Sequence, residues 1–246
     1  SYSRANREPS RSDYESNPKI KPEELNDFEL GWRYKQNGFK FNINSYVMLY
    51  NEQLVLTGAL DDVGTPIRTN SGESYRLGLE IETKFKISDL IVFDSNLTLS
   101  SNKNKEMLSM VDGAIYNYGK TNISFSPSVI SSGSLTYNLD STTVNFISKY
   151  VGSQYMGNTD SPNSKLDSYF VNDLSVLWKL KPKQTFESVI ISGLVNNIFN
   201  LKYISNGYYY TYDDTWSDPG QITTLDGAGY YPQATRNFLL GLTLKF

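Results

Sequence analysis

Arg236-Asn-Phe-Leu-Leu-Gly-Leu-Thr-Leu-Lys-Phe246 ends the chain on an alternation with a period of two. In an extended strand Phe238, Leu240, Leu242, Leu244 and Phe246 share one face. Asn237, Gly241, Thr243 and Lys245 share the other, with Leu239 the one apolar residue among them. Chain ends of water-soluble domains are usually frayed and polar. A terminal strand with such a face needs an apolar medium or an apolar partner to cover it.

The same alternation runs back through the chain. From 27 to 36, Phe28, Leu30, Trp32 and Tyr34 alternate with Glu29, Gly31, Arg33 and Lys35. In 39–57, Phe39, Phe41, Ile43, Val47 and Leu49 oppose Lys40, Asn42 and Asn44. In 72–87, Tyr75, Leu77, Leu79, Ile81 and Phe85 oppose Arg76, Gly78, Glu80, Glu82, Lys84 and Lys86. Comparable segments fall at 90–103, 122–137, 143–150 and 170–180. Residues 186–206 are apolar on both faces, which leaves their register open. With 234–246 these make nine strands, and Ser1–Ala5 reads as the tail of another. Pro127 removes a ladder hydrogen bond within 122–137 and predicts a local bulge there.

The connections alternate in length. Segments 35–39, 87–90, 138–142 and 181–185 are tight and rich in turn residues, whereas 6–26, 58–71, 104–119, 156–166 and 207–233 are long and polar. Short turns at one end and long loops at the other are the rule for outer-membrane barrels, the turns periplasmic and the loops extracellular. The fold class expected is therefore all-β, a transmembrane antiparallel up-and-down β-barrel in the bacterial outer membrane. The C-terminal Phe246 then lies at the periplasmic end. A soluble sandwich or adhesin, packing its apolar faces sheet against sheet, is the competing reading. No run of about eighteen apolar residues predicts a transmembrane helix. The mean hydropathy of −0.44 does not discriminate, because lipid-facing and lumen-facing residues average out in a barrel.

Composition narrows the function classes. The net charge of −3 offers no basic field for nucleic acid. Cysteine and histidine are both absent, which removes thiolate metal sites, the commonest metal ligand and the usual neutral-pH general base. Neither a catalytic site nor a metal site nor a cofactor is expected. Nineteen tyrosines in an aromatic content of 14% favour strands.

Three stretches resemble the C-terminal barrel of TonB-dependent receptors, the plugged outer-membrane transporters of Gram-negative bacteria. The first is Asn6-Arg-Glu-Pro-Ser-Arg-Ser-Asp-Tyr14 followed by Ile20-Lys-Pro-Glu-Glu-Leu-Asn-Asp-Phe-Glu-Leu-Gly31. The second is Asn70-Ser-Gly-Glu-Ser-Tyr-Arg-Leu-Gly-Leu-Glu-Ile-Glu82. The third, and most specific, is Val195-Asn-Asn-Ile-Phe-Asn-Leu-Lys-Tyr203 with Tyr231-Pro-Gln-Ala-Thr-Arg-Asn-Phe238 and the terminal strand. The resemblance covers essentially all 246 residues. It implies a 22-stranded barrel of which residues 1–246 would supply about the last ten strands. The N-terminal plug with its TonB-contacting box, and the first strands, would be missing. It further implies TonB-energised uptake of a scarce ligand of the ferric siderophore or cobalamin class. TonB would act through the plug, and the barrel-assembly machinery would read Phe238, Leu240, Leu242, Leu244 and Phe246 as its signal. Outer-membrane lipid would surround the strands. A passive porin or a cell-surface adhesion domain are the alternatives.

Candidate site residues follow from position. Tyr208, Tyr209, Tyr210, Tyr212 and Trp216 form the densest aromatic cluster, in the last long loop, suited to stack on a small-molecule ligand or to pack the loop itself. Asp213, Asp214 and Asp218 do not have the spacing of a calcium loop. Arg76, Glu80, Glu82 and Lys84 would line the lumen, either holding a plug or forming a hydrated wall. In Asn196-Asn197-Ile-Phe-Asn200 the asparagines are expected to satisfy backbone groups where the strand turns.

Overall fold

The computed structural model describes residues 1–61, 64, 66–181 and 186–246. Among these residues ten strands follow one another in a single antiparallel meander. They are β1 Tyr2–Arg7, β2 Glu23–Gln36, β3 Phe39–Asn51, β4 Ser74–Lys86, β5 Ile91–Asn104, β6 Val129–Leu139, β7 Thr142–Val151, β8 Tyr169–Leu180, β9 Ser188–Asn196 and β10 Asn237–Lys245. Each pairs with its neighbours in sequence, and β1 and β10 are the two edges. The sheet is thus an open section of barrel wall. Among the described residues no helix is long and apolar enough to cross a membrane, which says nothing of crossing by strands.

The register carries one apolar row after another across the wall. Trp32, Ile43, Ile81 and Leu97 stand side by side on four strands, as do Phe28, Val47 and Leu77 on three. The pairing also fixes the strand whose register the sequence left open. Val189, Ile191, Gly193 and Val195 face Leu244, Leu242, Leu240 and Phe238, so these belong to the apolar face. Ile190 and Leu194 fall on the polar face, opposite Thr243 and Leu239. A slip of one residue would invert every side chain of β9, so the apolar stripe of β10 specifies this register.

Where the side chains are buried is telling. Many large apolar residues of the wall are exposed, Leu30 at 77% and Leu240 at 89%, and Ile43, Ile81 and Leu97 are half-buried. Ile20, Leu54, Met107, Ile123, Met156 and Leu166 are buried, and all lie in the connections at the long-loop end. A domain folded in water would bury the wall first. Here a small core ties the loops together, and the wall leaves its apolar face uncovered.

Three segments differ from the sequence expectation. The strand over 39–57 breaks at Glu52, whose φ of 54° is left-handed, and Leu54–Leu60 departs to pair with Pro66–Asn70. The strand over 122–137 begins only at Val129. Pro127 does more than bulge it: the chain detours through Phe125, at φ 50°, and Ser100 takes up the carbonyls of Pro127 and Ser128 at 3.1 and 2.8 Å. The third is 207–233, expected as a loop, which forms the hairpin Ile204–Asp214 with Thr223–Pro232. Its run of tyrosines has strong β propensity. The tight turn at 181–185 falls, from 182 on, outside the described residues. The turn at Asn37-Gly38 is as expected, with Gly38 at φ 75°.

Candidate functional site

The long connections fold into hairpins of their own and meet above one end of the wall. In Ile204–Asp214 the side chains alternate. Tyr208, Tyr210 and Tyr212 stack in series with centroids 6.2 and 6.4 Å apart, and Trp216 continues the ladder 6.3 Å from Tyr212 with rings 6° from parallel. Tyr209 points the other way and its hydroxyl donates to Asp226 at 3.0 Å. Its ring covers Gly157, where a Cβ would approach to 2.8 Å. Four of the five aromatics expected at a ligand surface therefore share a face, while Tyr209 packs beneath them.

A second hairpin, Leu108–Val111 with Ala114–Asn117, turns at Asp112 and Gly113, both with positive φ, 52° and 74°. That is the type I′ geometry Asp-Gly favours. It is stapled to the aromatic hairpin by a reciprocal pair: the Asp112 N–H donates to Thr224 Oγ1 and the Thr224 N–H to Asp112 Oδ1, both at 2.7 Å. Thr224 Oγ1 in turn donates to Asp213 at 2.7 Å. The hairpin of Leu54–Leu60 and Pro66–Asn70 meets the aromatic hairpin at Gly58, where a Cβ would stand 3.4 Å from Thr211 Oγ1, and is held from below by buried Asn158, which donates to the Leu56 carbonyl at 3.0 Å and accepts from the Ser124 N–H at 3.0 Å. Between the three lies an open cleft of about 730 Å³. Ile67, Leu108, Met110 and Ile115 line it beside Tyr210 and Tyr212, and Asp213 is the one carboxylate among the described lining residues. Within 104–119 the Asp-Gly dipeptide was the available signal for this hairpin. Leu108, Met110 and Ile115 carry nothing in sequence that assigns them to a cleft.

Asp226 locks the outer side of the same hairpin. It accepts from Ser161 at 2.7 Å, Asn163 at 2.9 Å and Tyr209 at 3.0 Å. Partial burial pushes its carboxyl up, but the hydrogen bonds from Ser161, Asn163 and Tyr209 together outweigh that and hold it below the usual carboxylate range. A depressed carboxylate stabilises the folded loops above its unfolded pKa of about 3.9 and loses that contribution as pH falls through the folded value. The aromatic hairpin should thus loosen below about pH 4. Trp216 emission followed against pH will read this as a transition that Asp226→Asn abolishes; an unchanged titration in the variant would show that Asp226 is not the group.

Asp213, Asp214 and Asp218 do not assemble, since among the described residues no group of three or more acidic side chains could hold a metal ion. Asp214 instead accepts from the Trp216 and Ser217 N–H groups at 3.1 and 3.0 Å.

At the foot of the aromatic hairpin the asparagines satisfy backbone groups as the sequence leads one to expect. Asn197 is buried at φ 50°. Its amide donates to the carbonyls of Leu201 and Ala234 at 2.8 and 3.3 Å, its Oδ1 accepts from Leu201 N–H at 2.8 Å, and its own N–H donates to Asp173 at 2.7 Å. Asn200 Oδ1 accepts from the Arg236 N–H at 3.1 Å. Both feet of the loop are thereby tied to the end of β9.

On the polar face of the wall, Arg76, Glu80, Glu82 and Lys84 share one side of β4. Each is answered by a neighbouring strand or connection. Arg76 donates to Ser126 at 2.7 Å, and Asn44 and Asn42 donate to Glu80 and Glu82 at 3.4 and 2.8 Å. Lys84 pairs with Asp94 at 3.2 Å. Gly78, on the same face, leaves room for the Tyr46 ring; a Cβ there would stand 2.8 Å from the Leu99 carbonyl oxygen. Phe238, Leu240, Leu242 and Leu244 line the apolar face of β10 from the loop foot downward, and at its far end the Phe246 ring centroid lies 5.0 Å from that of Phe186.

A meander with one apolar and one polar face, capped at a single end by packed hairpins, defines a transmembrane β-barrel wall. Residues 1–201 match the family described as TonB dependent receptor-like, beta-barrel, and the chain belongs to that family, whose barrels lie in the bacterial outer membrane. No curated protein matches the sequence. Among solved structures the fold is similar to the copper transporter OprC, at 17% identity and a TM-score of 0.69, over 100% of this chain and 36% of that one. It is similar also to the ferric yersiniabactin uptake receptor FyuA from Yersinia pestis, at 18% identity and 0.61, over 90% and 30%. The siderophore receptor PiuA from Acinetobacter baumannii gives 18% and 0.61, over 91% and 28%. The chain thus spans about a third of the length of these structures.

Proposed function

We propose that residues 1–246 form the C-terminal section of the barrel of an outer-membrane receptor that takes up a scarce small ligand with energy delivered through TonB. The ligand class is that of ferric siderophores or cobalamin. The remaining strands and a plug complete the barrel, the apolar face meets lipid, and the C-terminus is periplasmic. The chain binds and conducts; it is no enzyme. The observation that carries the reading is the convergence of three hairpins into a preformed cleft at the end of the wall opposite Phe246, within a chain of this family. The similar solved structures, a ferric yersiniabactin uptake receptor, a siderophore receptor and a copper transporter, support capture of a metal or its complex.

Ligand capture would fall to the aromatic ladder of Tyr208, Tyr210, Tyr212 and Trp216. Arg76, Glu80, Glu82 and Lys84, partnered within the wall, would form a hydrated lumen surface. The stripe from Phe238 to Phe246 would be read by the barrel-assembly machinery. The test is uptake of labelled iron or cobalamin by cells carrying or lacking the gene, each with and without TonB. Uptake that needs both is expected. Uptake indifferent to TonB would make the protein a passive porin, and a folded chain recovered in water without detergent would make it a surface adhesion domain.

A further inference from the structure

The walls of the loop cleft say what charge its occupant carries. On the receptor reading above, we infer that the cleft between the three hairpins selects a cationic ligand with an apolar or aromatic body and rejects polyanions. Met110 and Ile115 stand 54% and 73% exposed at the cleft, apolar surface that a ligand would cover. Tyr210 and Tyr212 line the cleft as part of the stacked ladder, aromatic surface against which the body of a ligand can pack. Among the described residues Asp213 is the one charged side chain of the lining, and Thr224 engages one of its oxygens.

The surroundings reinforce that sign. Among the described residues of the three hairpins, Asp112, Asp213, Asp214, Asp218 and Asp226 carry acidic side chains, and Arg68 is the one basic residue. Arg68 is already paired with buried Asp13 at 3.2 Å, on the side facing the helix Arg11–Ser16. An anionic complex entering the cleft would therefore meet a field of its own sign, with no cation among the described lining residues to answer it. Because the Asp112–Thr224 staple and Asn158 fix the walls, a ligand need not order the loops before binding.

Three matched probes test this: 1-pyrenemethylammonium, 1-pyrenemethanol and 1-pyrenesulfonate, which share one ring system. They are titrated against the protein in uncharged detergent, with Trp216 quenching and pyrene emission as readouts. The cation is expected to bind about tenfold more tightly than the sulfonate at low ionic strength, a preference that shrinks as salt screens it. Asp213→Asn should remove most of the preference and leave the alcohol unaffected, and Tyr212→Ala should weaken all three. Sulfonate binding as tight as the cation would overturn the inference. So would quenching that persists unchanged in Tyr212→Ala, which would mean uptake by the micelle. These titrations involve no TonB, so binding without TonB-dependent uptake sinks the receptor reading alone, and uptake without cation preference sinks the inference alone.

Discussion

Replacing Leu97 by arginine should destabilise the barrel in a bilayer by about 2–4 kcal/mol, while replacing its neighbour Asn96 by arginine should change stability by no more than about 0.5 kcal/mol. The two residues are adjacent on β5 and face opposite ways. Leu97 stands beside Ile81 and Ser131, in the row that runs through Ile43 to Trp32. Asn96 stands beside Glu82 and Ser132 and donates to the Ser132 hydroxyl at 2.8 Å. An arginine at 97 must carry its charge into hydrocarbon or bend towards the headgroups. At 96 it meets water and the carboxylate of Glu82. The comparison is sharp because a soluble sheet with the same coordinates would treat a part-exposed Leu97 as ordinary surface. Urea unfolding in lipid vesicles, followed by the shift between folded and unfolded bands on cold gels, measures both variants. Equal stability for the pair would sink the assignment of the apolar face to lipid.

The second large effect is expected at Asn197. Asn197→Ala should cost about 2–4 kcal/mol, because the buried amide gives up three hydrogen bonds to part-buried backbone groups at about 0.5–1.5 kcal/mol each. The Leu201 N–H and carbonyl and the Ala234 carbonyl all depend on this one amide. Alanine is also poorly suited to the φ of 50°. Asn197→Gly separates the two causes, since it keeps the backbone and loses the hydrogen bonds; it should recover about 1 kcal/mol of the loss. The consequence reaches the cleft, as Leu201 and Ala234 are the two feet of the segment that carries Tyr210, Tyr212 and Asp213. Trp216 emission should therefore change in the variant before the wall unfolds. A variant with the parent's unfolding midpoint would show that the feet are held elsewhere.

Much of the wall was legible without coordinates. A strand buried or bathed on one face must alternate, and the residues at 27–36, 72–87 and 237–245 do so without a fault larger than Leu239. Pairing each stripe with its neighbours then leaves one register. β9 escaped because Val189-Ile-Ile-Ser-Gly-Leu194 is apolar on both sides, and a one-residue choice between its faces is settled only by β8 and β10.

The loops were not legible in the same way. Their length and polarity read as irregular chain, and yet they hold the buried side chains of Met107, Ile123 and Met156. Alternation cannot find such a core, because its members come from segments far apart in sequence and meet only when the hairpins pack. Tyr209 illustrates the point. It sits in an unbroken run with Tyr208 and Tyr210, and only the pleat, with Gly157 beneath its ring and Asp226 at its hydroxyl, separates a packing residue from an aromatic ladder.

By itself the sequence determined the wall: its strand count, its two faces and the apolar stripe on which the chain ends, all consequences of a period of two that one chemical environment on each side enforces. The tertiary structure decided the cleft, the tie of both loop feet to Asn197 and the place of Asp213 in a lining without a basic side chain among the described residues. Those rest on contacts up to 112 positions apart, such as Asp112 with Thr224, where no local pattern constrains the partner.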